Sequence, residues 1–150
     1  MNLTGVFALF GFPEDKNNKG DQQKKEIEDF QKTAYFKVSM FKKLVRNGKY
    51  FKSQVVKFLS SSNEALDIKG IDEAGEYMMF TRSYFWIKGC KFRSKEWKEA
   101  LYNHSDEEFI NILKWSIKYF QDCEEYEKCA HLKKIQDIVE KNLKVIELKG

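Results

Sequence analysis

Apolar residues recur at spacings of three and four along much of the chain. Ile27, Phe30, Ala34, Val38, Phe41 and Val45 fall on one helical face, which predicts a helix over 22–46 stopped by Asn47-Gly48. Phe51, Val55, Phe58 and Leu59 predict a second amphipathic helix over 49–60, ahead of the polar break "SSSN". The stretch "EYMMFTRSYFWIKGCKF" is apolar nearly all round. One reading makes it a central bundle helix capped by Asp72 and running to about Lys88. The other makes 76–92 a short β-hairpin with Gly89 at its turn.

Beyond it, Ser94 caps a short helix with Trp97 and Leu101 on one face. Ser105-Asp106-Glu107-Glu108 is a capping box, followed by a face of Phe109, Ile112, Leu113, Ser116, Ile117 and Phe120. After a break at Gln121 to Cys123, Tyr126, Cys129, Ala130, Leu132, Ile135, Ile138 and Val139 form the apolar positions of a last helix. Two such helices with a short connection predict an antiparallel hairpin over 106–143. The predicted fold is mainly α, a single-domain helical bundle over 22–150 that ends in this hairpin, preceded by an apolar arm, 1–12, and a polar linker, 13–21.

Within that hairpin, "EYEKCAHLKKIQDI" resembles the second helix of the UVR-type helical hairpin of nucleotide-excision-repair proteins, through Tyr126, Glu127, Cys129, Ala130 and Leu132. Lys133 and Lys134 stand where that family has Arg and Asp. The resemblance covers 107–141 and implies a protein-docking element with no catalytic role.

Composition sharpens the class. Hydrophobic residues make up 42% of 150 and aromatics 15%, with 13 Phe and 7 Tyr, so an aromatic-rich core is expected rather than disorder. One Pro and 8 Gly are too little turn punctuation for a sandwich or barrel. The Lys-, Asn-, Phe- and Tyr-rich usage suits an AT-rich genome, such as a viral one. Three cysteines, Cys90, Cys123 and Cys129, make no disulfide framework, and the expected compartment is the reducing cytoplasm. Residues 2–12 lack Lys and Arg and lead into Pro13, Glu14 and Asp15, which does not fit a signal peptide. No apolar run reaches the roughly 18 residues of a membrane span.

Charge gives the sharpest functional signal. Between Phe30 and Asn63 stand Lys32, Lys37, Lys42, Lys43, Arg46, Lys49, Lys52 and Lys57, with no acid among them. Such a face repels itself unless a partner neutralises it. Lys88, Lys91, Arg93, Lys95 and Lys98 form a second cluster, interleaved with Trp86, Phe92 and Trp97. Cations attract phosphates and rings stack on bases. The expected function is therefore non-enzymatic binding of nucleic acid or an acidic protein through Lys37, Lys42, Lys43, Arg46, Lys49, Lys52, Lys91 and Arg93. The alternative is an adaptor, assembly factor or inhibitor that docks on a protein through Phe7, Phe10 and Phe12 of the arm and through the terminal hairpin.

Catalytic patterns are weak by comparison. Cys123, Cys129 and His131 match no usual zinc spacing. Cys90 with His104 has no third orienting group, and the acids near the hairpin tip stay in water. Glycine-rich phosphate loops and the HExxH pair do not occur. No metal, cofactor or catalytic residue is expected.

Overall fold

The computed structural model describes residues 19–61 and 67–150. The arm residues Phe7, Phe10 and Phe12 and most of the polar linker lie outside them. Among the described residues the chain forms six helices and no strand: α1 Lys19–Gln31, α2 Ala34–Ser60, α3 Ile68–Ile87, α4 Lys95–His104, α5 Glu107–Asp122 and α6 Tyr126–Lys149. It divides into two units, Met1–Thr33 and Ala34–Gly150.

The helix expected over 22–46 is two helices. The chain leaves α1 at Lys32-Thr33, where the Thr33 hydroxyl donates to the Phe30 carbonyl at 2.6 Å. Ile27 and Phe30 are exposed rather than continuing the buried face. The first amide of α2, Ala34 N–H, donates to the Glu96 carboxylate at 2.9 Å, a cap supplied from 62 residues away. The expected stop at Asn47-Gly48 is also absent, and α2 runs through it to Ser60. Gly48 serves packing instead: a Cβ there would stand 2.6 Å from Cγ of Met79, so the missing side chain lets α3 lie close.

Residues 76–87 are helical, and the β-hairpin reading of 76–92 is corrected. The cap of α3 is Asp67, which accepts from Gly70 N–H at 2.9 Å, not Asp72. Its apolar girdle does not put it at the centre of the bundle. Phe80, Ser83 and Ile87 turn inward, while Tyr77, Met78 and Phe85 are exposed.

Other boundaries follow the sequence closely. Ser94 caps α4 by accepting from Trp97 N–H, and Asp106 caps α5 by accepting from Phe109 N–H at 2.7 Å. Ser105 instead donates to the Leu101 carbonyl at 2.6 Å, closing α4. Helix α5 ends in a Schellman turn, with Glu125 N–H on the Phe120 carbonyl and Glu124 N–H on that of Gln121. One core joins Val38, Phe41 and Val45 of α2, Phe80 and Ile87 of α3, Trp97 and Leu101 of α4, Phe109, Ile112, Leu113 and Phe120 of α5, and Leu132, Ile135 and Val139 of α6. Tyr126 and Ala130, expected on the packing face of α6, are exposed.

Candidate functional site

Helix α2 carries the acid-free run, and tertiary structure supplies the acids that local sequence withholds. Lys42 is buried, with Nζ 2.9 Å from Asp106 Oδ2 and 3.1 Å from the His104 carbonyl. It is a structural cation rather than a binding one. Arg46 pairs with Glu108 at 3.0 Å. Lys52 bridges Asp72 at 3.1 Å and Glu76 at 2.6 Å. Burial pulls the Lys52 pKa down, but the bonds to Glu76 and Asp72 outweigh it and hold the ammonium above its ordinary value. Lys49 lies 3.6 Å over the Trp115 ring, and its pKa is lowered by burial and by the neighbouring Lys52 charge. Lys37 stands 6.0 Å over the Trp97 ring, and Lys43 is exposed. Of the cations expected to form one face, Lys42, Arg46 and Lys52 are thus neutralised within the fold.

In the second cluster Lys95 pairs with Glu99 at 3.9 Å, and the other cations have no ion pair among the described residues. The loop between α3 and α4 packs on α6 through Phe92, whose ring centroid is 5.3 Å from that of His131. His131 is half-buried, and its Nε2 meets the Ile87 carbonyl at 3.1 Å. A carbonyl only accepts, so Nε2–H donates and the ring anchors the loop. Lys134 Nζ, one turn further along α6, lies 5.7 Å from the Phe92 ring, beside the residues that flank it, Lys91 and Arg93. Lys91 and Arg93 are exposed and make no ion pair among the described residues. Lys88 sits 4.6 Å over the ring of Phe85, which is 59% exposed. The expected stacking rings are otherwise engaged. Trp97 is buried, and Trp86 is half-buried against Phe36, centroids 5.7 Å apart. Phe85 is the accessible ring, overlooked because aromatic content alone does not say which side of α3 faces water.

Catalytic alternatives find no geometry. The Cys90 thiol is buried, and desolvation pushes its pKa up to about 12, the reverse of an activated nucleophile. His104 donates from Nε2 to the Tyr35 carbonyl at 3.1 Å, and its ring lies tilted against the Tyr35 ring with centroids 4.4 Å apart, with no hydrogen bond to Cys90 among the described residues. Cys129 contacts the Ile117 carbonyl through sulfur at 3.5 Å, and Cys123 is exposed. No three His, Cys, Asp or Glu side chains among the described residues are gathered to hold a metal. No described helix is long and apolar enough to cross a membrane.

A second surface was not foreseen. The C-terminal half of α2 and the N-terminal half of α3 enclose an open groove of about 460 Å³, lined by Leu44, Phe51, Val55, Ile71, Met78 and Arg82 among others. No family model matches the chain, no curated protein matches its sequence, and no solved structure matches its fold.

Proposed function

We propose that this protein acts by non-covalent binding and takes a nucleic-acid strand on the surface formed by Phe85, Lys88, Lys91, Arg93 and Lys134. One observation carries the reading: these four cations gather around the exposed Phe85 ring and the Phe92 loop with no carboxylate partner among the described residues, whereas in α2 Lys42, Arg46 and Lys52 are each paired with an acid. Unpaired cations retain their attraction for phosphates. An acidic protein surface would use the same charges, but the open Phe85 ring favours unpaired bases, for which it offers a stacking platform. No catalytic step is assigned. The test is fluorescence anisotropy of the full chain with labelled single-stranded and duplex oligonucleotides across a salt series. The single strand should bind more tightly. The paired change Lys91→Ala with Arg93→Ala should flatten the dependence of log K on log salt by about 0.7 per lost phosphate contact. Phe85→Ala should cost about 1 to 3 kcal/mol without altering that slope. Salt-independent or absent binding would remove the nucleic-acid reading.

A further inference from the structure

We infer that the groove between α2 and α3 is the seat of a second copy of this chain, which docks its own α2–α3 hairpin there to complete a four-helix bundle. The reasoning begins with the length of α2. Its buried residues are Ala34, Val38, Phe41, Lys42 and Val45, all in the N-terminal half, although the helix continues to Ser60. In α3 the buried residues begin only at Met79. Residues 46–60 of α2 and 68–78 of α3 therefore pair with each other beyond the core. Helix α5 reaches the near end of this segment, through Glu108 on Arg46 and Trp115 under Lys49, and beyond it Phe51 and Phe58 are open.

The outer side of this pair is apolar. Phe51 is 70% exposed and Phe58 75%, with Ile71 and Met78 also open. Two helices bury only the seam between them, and an apolar face of this kind is stable in water only against another layer.

Charge selects the occupant. In this part of the hairpin Lys52 is already bound to Asp72 and Glu76 and Arg46 to Glu108, so the charges left for a partner are chiefly Lys57 on α2 and Glu73 on α3. A twofold interface must be complementary to itself, each patch meeting its own copy. A free cation on one helix beside an acid on the other meets that condition, because a dyad running along the hairpin lays α2 of each copy along α3 of the other. Lys57 is exposed with no ion pair among the described residues, and the ion pair of Glu73 is with Lys69 of its own helix at 4.0 Å, so both are available across such an interface. A hairpin about 22 Å long gives a contact at the small end of specific interfaces, so the dimer should dissociate on dilution. The anionic-ligand surface uses the other end of α3 and α6, and the two proposals stand independently.

Sedimentation velocity of the full chain over a dilution series tests this. The expected result is a reversible shift from twice the mass of one chain to that of a single chain. Phe51→Glu and Met78→Glu should each weaken association at least tenfold while leaving the circular dichroism unchanged, since both side chains are at least half exposed in one chain. Lys57→Glu and Glu73→Lys should each weaken self-association, and mixing the two variants should restore a heterodimer. A single-chain mass at every concentration overturns the proposal, whether the groove is then covered by another protein or by none. Dimers that survive both glutamate substitutions overturn it as well, because another face must hold them. Failure of the mixed charge variants to pair overturns the laying of α2 along α3.

Discussion

Asp106 performs two tasks with one carboxylate, and substitutions can separate them. Oδ1 caps α5 on Phe109 N–H at 2.7 Å, while Oδ2 meets buried Lys42 at 2.9 Å. Asn caps about as well as Asp, so Asp106→Asn should lose mainly the ion pair, whereas Asp106→Ala should lose about 1 kcal/mol more for the cap. Urea denaturation of the two variants measures the difference. The helix start was legible in Ser-Asp-Glu-Glu because capping is local, although the cap falls on Asp106, one residue after the Ser105 of the capping box. The fate of Lys42 was not, since its partner lies 64 residues along the chain. His104, beside the same ion pair, adds a pH dependence. Burial and then the Lys42 charge lower its pKa from 6.5, against an opposing pull from the Tyr35 carbonyl and Asp106. The unfolded chain therefore binds this proton more readily, so the His104 contribution is present above pH 6.5 and declines as pH falls below it. Melting temperatures from pH 7.5 to 5.5 should fall more for the wild type than for His104→Gln, the difference isolating this group.

At the scale of elements, boundaries were readable where one residue marks them and unreadable where packing overrides the mark. Ser94 announced its helix, and the Ser105-Asp106 pair announced the next one residue early, the cap being Asp106 and not Ser105. Asn47-Gly48 announced a stop that Met79 converts into a close crossing of α2 and α3. Gly48→Val should therefore destabilise by about 1 to 3 kcal/mol through overpacking, and Met79→Ala should recover part of that loss in the double variant. Additive losses would remove the packing explanation for this glycine. The turn after α5 shows the opposite mismatch. Glu124 adopts φ of 59°, the left-handed conformation that glycine takes without steric cost, at the C′ position of a Schellman turn. Glu124→Gly should stabilise the chain by several tenths of a kcal/mol up to about 1 kcal/mol, read as a rise in the urea midpoint at constant slope.

Across the whole molecule, periodicity told which residues were apolar more reliably than which were covered. Val38, Phe41, Phe109, Leu132 and Ile135 are buried as the spacing implied, because each belongs to a face several helices deep. Ile27, Phe51, Phe58 and Met78 carry the same local signal and remain open, since burial also requires an opposing element that no window of sequence specifies. Charge follows the same rule: counting charges along α2 could not anticipate the acids from α3 and α5 that pair with Lys42, Arg46 and Lys52. One prediction tests whether the residues that are covered act together. Leu132 of α6 is fully buried, and Leu132→Ala should cost about 2 to 5 kcal/mol from a total of about 5 to 15. Because α2, α5 and α6 contribute to one continuous core, the slowest amides of α2, at Val38 and Phe41, should exchange through global opening and lose the same free energy as amides of α6. Hydrogen exchange measured residue by residue on the wild type and on Leu132→Ala reads this directly. Equal losses in the two helices would make Ala34–Gly150 one cooperative unit, whereas a loss confined to α5 and α6 would mean that the terminal hairpin opens by itself despite the shared core.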